Sequence, residues 1–421
     1  MQKVCVLGLG YIGLPTASVL AANGYEVLGV DVSPHVVTTV NEGGIHIEEP
    51  GLQTLVRAAT GSGNLRAAHA PEPADVFVLA LPTPLTAEKA ADMTYVVEAA
   101  ESIVPHLAKG ALVILESTSP PGTCRNLIRP IIERSGLKVG EELLLAHCPE
   151  RVLPGKILKE LIDNDRVIGG YDAASAERAR EIYATFVEGQ IFLTDVDTAE
   201  MVKLIENTYR DVNIALANET AVLCEDLGIN FWEVRRFANR HPRVDLHSAG
   251  PGVGGHCISV DPWFLVELQG EQSRIIRTAR ERNTDMPRHV VAASLRMLEG
   301  VTNPKVAVLG LAYKGNVDDT RESPALDVLD LLRGEGVDVA IHDPHVTRCS
   351  LPLASREECL RDADLVLLLT DHLEYLELDP VAAGDAVRRK LLFDTRNLLD
   401  HAAWKAAGFR VKVLGAGNGV G

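Results

Sequence analysis

Short apolar runs alternate with amphipathic stretches along most of the chain, an order typical of parallel sheets joined by helical crossovers. The first apolar run, at residues 3–7, leads into a glycine-rich turn and a helical pattern, and a second apolar run follows at 26–31. Later runs with polar residues at their C-terminal ends occur at 75–84, 111–122 and 142–155. We therefore predict an α/β protein whose N-terminal domain contains a doubly wound, Rossmann-like sheet.

A long helical pattern without proline or interior glycine occupies residues 197–228. About 30 residues at 1.5 Å each make a helix about 45 Å long, which is longer than one domain needs. Lys203, Asn207 and Arg210 recur at helical spacing and therefore share one face. Two cations around an amide suit an anion or a developing oxyanion. We predict that this helix joins two lobes and forms a subunit contact, and that a further helix occupies 272–299.

The C-terminal part repeats the opening order of strand, turn, helix and strand. Its first strand is predicted at 305–309, and its second ends at Asp343, just as the second N-terminal strand ends at an acid. The turn reads Gly310-x-Ala312-x-x-Gly315, so alanine replaces the glycine that lets a pyrophosphate approach the backbone. We predict a second Rossmann-like domain that holds a different diphosphate through side chains. The predicted domains are 1–196, 197–300 and 301–421.

Composition and charge narrow the class of partner. The 421 residues carry a net charge of −17, which argues against non-specific binding to nucleic acid or to anionic membranes. No apolar run approaches the roughly 18 to 20 residues of a membrane span, and we expect no leader before the first strand. The seven cysteines are scattered and lack C-x-x-C spacing. We therefore expect reduced thiols in a cytoplasmic protein, with no disulfide frame and no metal site.

The first glycine turn has the features of a dinucleotide site. Gly8, Gly10 and Gly13 lie between a strand and a helix, and Asp31 follows at the end of the next strand. The glycines let the pyrophosphate approach the backbone, and the acid accepts the ribose hydroxyls. Because a carboxylate would repel a 2′-phosphate, we predict NAD rather than NADP as the cofactor. Thr83 and Thr118, at later strand ends, are placed to touch it.

Residues 250–264, GPGVGGHCISVDPWF, are the predicted site of covalent chemistry. Two glycines allow a ligand to approach Cys257, and Asp261 follows four residues later. A cysteine acts as a nucleophile in its thiolate form, which requires a nearby cation or an amide-rich turn. Glu150 and Arg151, side by side after an earlier strand, suit proton handling and anion contact. The alternative is a structural cysteine in a glycine-rich turn.

Taken together, these motifs resemble the nucleotide-sugar dehydrogenases of the UDP-glucose and GDP-mannose group over essentially the whole chain. The matching segments are GLGYIGLP, CPERVLPG, GGHC with its aspartate, and YKGNVDDTRESPA. Within that group, RHPRV and GPGVGGHCI most resemble bacterial UDP-N-acetyl-D-mannosamine dehydrogenases. UDP-glucose enzymes usually carry a lysine immediately before the aspartate of the cysteine loop, where this chain has Val260. Glucose is therefore disfavoured as the sugar.

The resemblance implies a two-step, four-electron oxidation of the sugar C6 alcohol with NAD, in which the cysteine forms a thiohemiacetal and then a thioester. It implies catalytic roles for Lys203, Asn207, Cys257, Asp261 and Glu150, with either of the last two activating the hydrolytic water. The implied sugar and diphosphate contacts are Arg151, Val152, Lys203, Asn207, Arg210, His241, Arg243 and Gly254. Tyr313, Lys314 and Arg321 are implied on the uridine side. The implied NAD contacts beyond the glycines are Tyr11, Ile12, Asp31, Thr83, Thr118 and Arg396.

The resemblance also implies a UDP-N-acetylhexosamine substrate, a homodimer around the long helix in which Arg243 could cross between subunits, and a product used for surface polysaccharides. UDP-N-acetyl-D-mannosamine is the preferred substrate, and the N-acetylglucosamine and N-acetylgalactosamine epimers are alternatives. Two other functions remain open at this point. One is a single alcohol oxidation in which Lys203 acts without Cys257, and the other is a non-catalytic protein that binds NAD.

Overall fold

The computed structural model describes residues 2–153, 155–347 and 349–417. The chain folds into two compact units, Met1–Glu206 and Asn207–Gly421, and the division falls inside the long helix. This division differs from the predicted boundaries at 196/197 and 300/301. The three-domain assignment therefore stays a prediction.

A mostly parallel sheet organises the first unit. Its strands are β1 (Lys3–Leu7), β2 (Glu26–Val30), β3 (Leu65–Ala68), β4 (Val76–Leu79), β5 (Leu112–Leu115), β6 (Leu144–His147), β7 (Arg166–Gly170) and β8 (Ile191–Asp195). Their order across the sheet is β3-β2-β1-β4-β5-β6-β7-β8, and only β6 and β7 pair antiparallel. The strand order reverses on either side of β1, which is where doubly wound sheets bind ligands.

Helices cover both faces of this sheet, and the start of the second one follows a local sequence signal. They are α1 (Gly13–Ala22), α2 (Pro34–Asn41), α3 (Leu52–Gly61), α4 (Thr94–Ile103), α5 (Arg129–Ile132), α6 (Ile157–Asp163) and α7 (Ala173–Tyr183), with a π-helical turn at Cys124–Ile128. Ser33 caps α2 by accepting a bond from the Val36 amide, and Pro34 occupies the first turn.

The central strands are buried on both faces, which explains why they read as continuous apolar runs. In β1, Val4 and Val6 pack into one hydrophobic cluster, whereas Cys5 and Leu7 pack into the cluster on the opposite face. Successive side chains of a strand point to opposite faces, so one short run supplies both cores.

The long helix α8 (Val196–Leu227) is 32 residues long, close to its predicted bounds. At about 1.5 Å per residue its length is about 48 Å. Several large apolar side chains on it are exposed, namely Met201, Ile205, Tyr209, Leu216, Leu223 and Leu227. Their spacing of four or seven residues places them along one stripe of the helix.

The second unit contains a smaller, fully parallel sheet. Its strands are β9 (Lys305–Leu309), β10 (Asp338–His342), β11 (Leu365–Leu368), β12 (Leu391–Asp394) and β13 (Arg410–Val413), in the order β10-β9-β11-β12-β13. Its helices beyond α8 are α9 (Phe231–Ala238), α10 (Asp261–Leu268), α11 (Arg274–Met297), α12 (Pro324–Gly334), α13 (Arg356–Leu360), α14 (Pro380–Ala386) and α15 (His401–Ala406). The predicted fold class, two Rossmann-like sheets and a long central helix, is confirmed.

A buried polar contact fastens α11 to α8. Arg280 Nη1 donates to Asp211 Oδ1 over 2.6 Å, and Asn283 Nδ2 donates to the same oxygen over 2.7 Å.

Across the described ranges, no helix combines the length and the hydropathy that crossing a bilayer requires.

Candidate active site

The glycine turn after β1 has room for a ligand at one of its three glycines. Gly8 has a φ of +87°, and a Cβ on Gly13 would lie 1.8 Å from the Gly8 carbonyl oxygen. These two glycines are therefore required by the turn and by the close approach of helix and strand. A Cβ on Gly10 would meet no atom within 4 Å. The open side of Gly10, at the N-terminus of α1, is where a pyrophosphate is expected to lie.

Asp31 is held at the end of β2 by backbone amides. Its Oδ2 accepts a bond from the Leu9 amide over 3.0 Å, and its Oδ1 accepts one from the Ser33 amide over 2.9 Å. Each carboxylate oxygen keeps a second lone pair, which can accept a ribose hydroxyl. In the same turn, Tyr11 is exposed and Ile12 is half-buried. The structure therefore brings the glycines and the acid to one edge of the sheet.

The two predicted threonines are neighbours in the structure. Thr83 Oγ1 donates to the Thr118 carbonyl oxygen over 2.8 Å, just beyond the ends of β4 and β5. Ser117, which sequence reasoning missed, accepts a bond from the Leu81 amide over 2.8 Å and joins the same two strand ends. The signal for Ser117 was its place directly before Thr118.

Glu150 and Arg151 do not act as a pair. Glu150 is buried and forms an ion pair of 2.8 Å with Arg166, whereas Arg151 forms one of 2.6 Å with Glu206 on α8. Although the two residues are adjacent in sequence, their side chains therefore have different charged partners. The neighbouring Val152 is half-buried.

Two buried groups next to Glu150 were missed from the sequence. Tyr183 donates its hydroxyl to Glu116 Oε1 over 2.6 Å, and the Arg166 guanidinium lies 4.9 Å from the centre of the Tyr183 ring. Burial, reinforced by repulsion from Glu150, raises the pKa of Glu116 to about 7. Arg166 pairs with Glu150, and its charge offsets the rise for Glu116 only in part, so Glu116 takes up a proton near neutrality. A carboxylate directly after the apolar run of β5 was the available signal.

The cysteine loop in the second unit packs against the loop that precedes α12. The Gly255 amide donates to the Arg321 carbonyl over 3.1 Å, and a Cβ on Gly255 would lie 2.9 Å from the Tyr313 ring. A Cβ on Gly254 would lie 2.4 Å from the Glu322 carbonyl oxygen. Both glycines are therefore required by close packing. At the start of the loop, the Gly250 amide donates over 2.9 Å to Asn218 on α8.

Cys257 is exposed, and its carbonyl oxygen accepts bonds from the Val260 and Asp261 amides. The adjacent His256 lies 3.2 Å from Asp319. Partial desolvation, together with the charge of Arg321, lowers the pKa of His256 and so disfavours its cationic form.

Asp261 begins α10 and is buried at 2% exposure. Its Oδ2 accepts a bond of 2.6 Å from Asn207 Nδ2, so α8 holds the first turn of the helix that follows Cys257. Lys203 lies one turn before Asn207 on α8 and is half-buried, and Arg210 is exposed. The predicted polar face of α8 is thus partly directed to the aspartate of the cysteine loop.

The other residues predicted to contact the substrate in the second unit are mostly exposed. His241 and Arg243 are exposed, as is Lys314, and Tyr313 is half-buried. Arg321 is exposed and binds Asp319 through two bonds of 2.9 Å. A diphosphate at this loop would therefore compete with Asp319 for the guanidinium.

Asp343 and Arg396 lie in settings that the sequence did not indicate. Asp343 is buried, and its oxygens accept bonds from the Leu311, Ala312, His345 and Val346 amides and from His372. Asp343 follows β10 as Asp31 follows β2, but its hydrogen bonds go to nearby backbone amides and to His372. Arg396 donates to Asp371 over 2.8 Å in the second unit. Its predicted role in NAD binding stays a prediction.

Three successive segments of the chain match one family. Residues 2–187 match the NAD binding domain of the UDP-glucose/GDP-mannose dehydrogenase family, residues 197–285 its central domain, and residues 307–401 its UDP binding domain. The chain belongs to this family. The protein is accordingly an NAD-dependent nucleotide-sugar dehydrogenase, which confirms the predicted family, enzyme class and cofactor.

Relatives of the dehydrogenase match it over nearly full length. It is 48% identical over 428 residues to the UDP-N-acetyl-D-mannosamine dehydrogenase of Methanococcus maripaludis, covering 99% of this chain and 98% of the relative. It is 46% identical to the NDP-N-acetyl-D-galactosaminuronic acid dehydrogenase of Ralstonia solanacearum, with 94% and 96% covered. The solved structure of the UDP-D-ManNAc dehydrogenase from Pyrococcus horikoshii superposes with a TM-score of 0.93 at 40% identity, covering 99% and 100%.

The turn of the first unit fits the cofactor of the dehydrogenase. The open side of Gly10, the first amides of α1 and the Asp31 carboxylate provide the backbone approach and the acceptor that NAD requires. The individual roles predicted for the catalytic and substrate residues stay predictions.

Proposed function

We propose that the dehydrogenase oxidises the C6 alcohol of UDP-N-acetyl-D-mannosamine to the carboxylate in two steps through a covalent bond to Cys257. The observation that carries the proposal is the exposed thiol of Cys257, in a glycine loop braced by the adjoining loop and by the bond from Asn207 to Asp261. An exposed cysteine in a built loop suits nucleophilic attack, whereas a buried one is inert.

In the first proposed step the C6 hydroxyl loses its proton and the carbon loses a hydride, which gives an aldehyde. Lys203 and Asn207 hold the alcohol oxygen and stabilise its developing negative charge. NAD, when bound, supplies the hydride acceptor for each of the two oxidations.

In the second proposed step the Cys257 sulfur bonds to the aldehyde carbon, and the oxygen takes up a proton to give a thiohemiacetal. Loss of that proton and of a second hydride leaves a thioester. Water then attacks the thioester carbon, the carbon–sulfur bond breaks, and the products are the carboxylate and the Cys257 thiol. Four electrons leave the sugar in total, so two NADH form for each acid.

Glu150 and Asp261 are the proposed acceptors for the proton of the hydrolytic water. Both carboxylates are buried, Glu150 beside Arg166 and Asp261 beside Asn207. Each is therefore held in place by a partner, and either can take up the proton from a bound water.

The proposed substrate contacts come from the quoted motifs CPERVLPG, RHPRV, GGHC and YKGNVDDTRESPA and from the long helix. Sugar and diphosphate contacts are assigned to Arg151, Val152, Asn207, Arg210, His241, Arg243 and Gly254, and uridine contacts to Tyr313, Lys314 and Arg321. Contacts to NAD are assigned to Tyr11, Ile12, Asp31, Thr83, Thr118 and Arg396. The exposed guanidinium groups among them suit bidentate binding of phosphate.

The choice of sugar rests on the names of relatives. The Methanococcus relative is named for UDP-N-acetyl-D-mannosamine, and the Pyrococcus structure carries the same sugar in its name. The Ralstonia relative is named for an N-acetyl-D-galactosaminuronic acid, so the galacto epimer is a second candidate. We assign the product to the synthesis of surface polysaccharide precursors, and a thiol that must remain reduced suits the cytoplasm.

A homodimer through α8 is also proposed. The exposed stripe that includes Met201, Ile205, Tyr209 and Leu216 provides an apolar surface on the long helix, which a second copy would cover. Light scattering should give twice the chain mass of 45.4 kDa for the wild-type protein. A Leu216→Glu variant should shift toward the single chain mass, and a monomeric wild type would contradict this part of the proposal.

The reaction is tested by assaying a panel of UDP-hexosamines with NAD and measuring NADH and acid together. We expect two NADH for each acid, with UDP-N-acetyl-D-mannosamine the preferred substrate. Cys257→Ala should abolish acid formation, whereas Cys349→Ala, at the other exposed cysteine of the described residues, should leave it unchanged. Mass spectrometry of stalled turnover should reveal a sugar adduct on the peptide containing Cys257.

Continued acid formation by Cys257→Ala, with the NADH yield unchanged, would eliminate the covalent scheme. One NADH for each turnover and an aldehyde as the final product would instead support a single alcohol oxidation. Protein that binds NAD but produces no NADH with any substrate on the panel would support a binding function alone.

A further inference from the structure

Three side chains that can ligate a metal meet in the interior of the first unit. They are Cys124 in the π-helical turn, His147 at the end of β6, and Glu200 in the first turns of α8. Their sulfur, nitrogen and oxygen atoms all lie within 4.8 Å of one another, and all three residues are fully buried. The positions are far apart in sequence and have no motif spacing, which explains why sequence reasoning predicted no metal.

His147 is the member of this cluster that protein contacts do not account for. Within the described residues, neither of its ring nitrogens has a partner of regular hydrogen-bond geometry, although the side chain is 0% exposed and approaches the Leu115 backbone. Buried polar groups are nearly always satisfied, so an imidazole without a partner beside a thiol and a carboxylate calls for an explanation. A neutral imidazole carries one ring nitrogen with a free lone pair, which can bind a ligand.

Glu200 is already oriented by the backbone. Its Oε2 accepts a bond from the Gly122 amide over 2.6 Å, and its Oε1 accepts one from the Cys124 amide over 2.8 Å. Each carboxylate oxygen has a second lone pair, so both bonds can persist while one oxygen binds a cation. Oriented carboxylates of this kind are typical of metal ligands.

The donor set and the charge balance favour zinc. Thiolate sulfur, imidazole nitrogen and carboxylate oxygen are the ligands of Zn²⁺, at about 2.3, 2.0 and 2.1 Å. Tetrahedral angles at those lengths place the ligand atoms roughly 3.3 to 3.6 Å apart. The observed separations, all within 4.8 Å, are therefore within about 1.5 Å of those at three corners of a tetrahedral zinc site. A thiolate and a carboxylate neutralise a divalent cation, which removes an uncompensated charge from the interior.

We propose that Cys124, His147 and Glu200 bind one zinc-class divalent cation as a structural site. The cation would take the place of the thiol proton, and the proton would leave to solvent. It would tie the first turns of α8 to the π-helical turn and to β6. Its role is to fix the helix that carries Lys203, three residues after Glu200, and it takes no part in the oxidation.

A second cluster shows why the first is distinctive. His345, His372 and Glu374 also place three ligand atoms within 4.8 Å. His372 Nδ1, however, accepts a bond from the Asn316 amide, and its Nε2 lies 3.0 Å from Asp343 Oδ2. The Nε2 therefore carries the proton and donates it, so His372 has no lone pair left for a cation. This second cluster carries no proposal.

The test uses the full chain, expressed in minimal medium with Co²⁺ in place of zinc because the site is closed to solvent. A background with both Cys257→Ser and Cys349→Ser removes the two exposed thiols of the described residues, which could bind cobalt on their own. We expect one cobalt for each chain and a thiolate-to-cobalt charge-transfer absorption band in the near ultraviolet. Growth with Zn²⁺ should give one zinc for each chain in the same protein.

Cys124→Ser should abolish the charge-transfer band, and His147→Gln should lower retention of the metal during dialysis against a chelator at least tenfold. Cys359→Ser, at a buried cysteine of the second unit, should change neither property. Absence of metal and of the band from the unmutated site would overturn the proposal without any variant. So would a band that persists in Cys124→Ser, or metal retention that His147→Gln leaves unchanged in protein with wild-type circular dichroism.

Discussion

The buried carboxylate of Glu116 should make the stability of the first unit fall as pH rises, and Glu116→Gln should remove that fall. Burial raises the pKa of Glu116 from 4.5 to about 7 in the folded protein. Below about pH 4.5 the residue is protonated in both the folded and the unfolded states, so it contributes no difference. Above about pH 7 it is ionised in both states, and the folded state bears the full penalty of burying the charge.

The size of the effect follows from the two pKa values. Each pKa unit is worth about 1.4 kcal/mol, so the difference between 4.5 and about 7 amounts to about 3 kcal/mol. Glutamine keeps an oxygen that can accept the bond from Tyr183 and carries no charge. Glu116→Gln should therefore stabilise the first unit by about 3 kcal/mol at pH 8 and by less than about 1 kcal/mol at pH 5.

The assay is urea unfolding at pH 5 and pH 8, followed by far-ultraviolet circular dichroism and by tryptophan fluorescence. All three tryptophans, Trp232, Trp263 and Trp404, belong to the second unit, so their fluorescence is an internal control that the variant should not alter. Glu98→Gln, at an exposed glutamate of α4, is the matched control in the first unit. Subtracting the wild-type value at each pH cancels other titrating groups.

The reasoning would be refuted by a stability difference between Glu116→Gln and wild type that is the same at both pH values. A variant that is less stable than wild type at pH 8 would refute it as well. Either result would mean that Arg166 compensates the charge of Glu116 fully, in addition to that of Glu150.

Three further predictions concern the cofactor, the cysteine loop and the buried ion pair. Asp31→Asn should raise the KM for NAD about tenfold, and it should raise activity with NADP because the repulsion of a 2′-phosphate is lost. Steady-state kinetics with both cofactors checks this prediction, and an unchanged cofactor preference would contradict it. Gly254→Ala should lower kcat at least tenfold without changing NAD affinity, because the added Cβ would lie 2.4 Å from the Glu322 carbonyl oxygen. Steady-state kinetics and NAD titration check this prediction, and normal turnover would contradict it. Arg166→Met should destabilise the first unit by about 3–5 kcal/mol, because it leaves Glu150 without its cation. Urea unfolding checks this prediction, and adding Glu150→Gln should restore part of the lost stability. No recovery in the double variant would contradict the prediction.

Local patterns in the sequence were sufficient for the sheets, the long helix and the cofactor turn. Gly8, Gly13 and Asp31 act within one strand–turn–helix unit, where spacing along the chain determines spacing in space. The same reasoning placed α8 within one residue of its observed ends, because helix periodicity is a local property. The same reasoning placed Asp343 at the end of a strand, but it could not show that Asp343 binds His372, 29 residues away.

What the sequence determined on its own is therefore the fold class, the family and the choice of NAD, all of which depend on residues close to one another in the chain. Only the tertiary structure decided which charges are buried and which side chains meet. It paired Glu150 with Arg166 rather than Arg151, joined Asn207 to Asp261, and gathered Cys124, His147 and Glu200. The physical reason is that burial and contact between distant residues arise when the sheet and its helices close around a shared interior, which no spacing in the chain encodes.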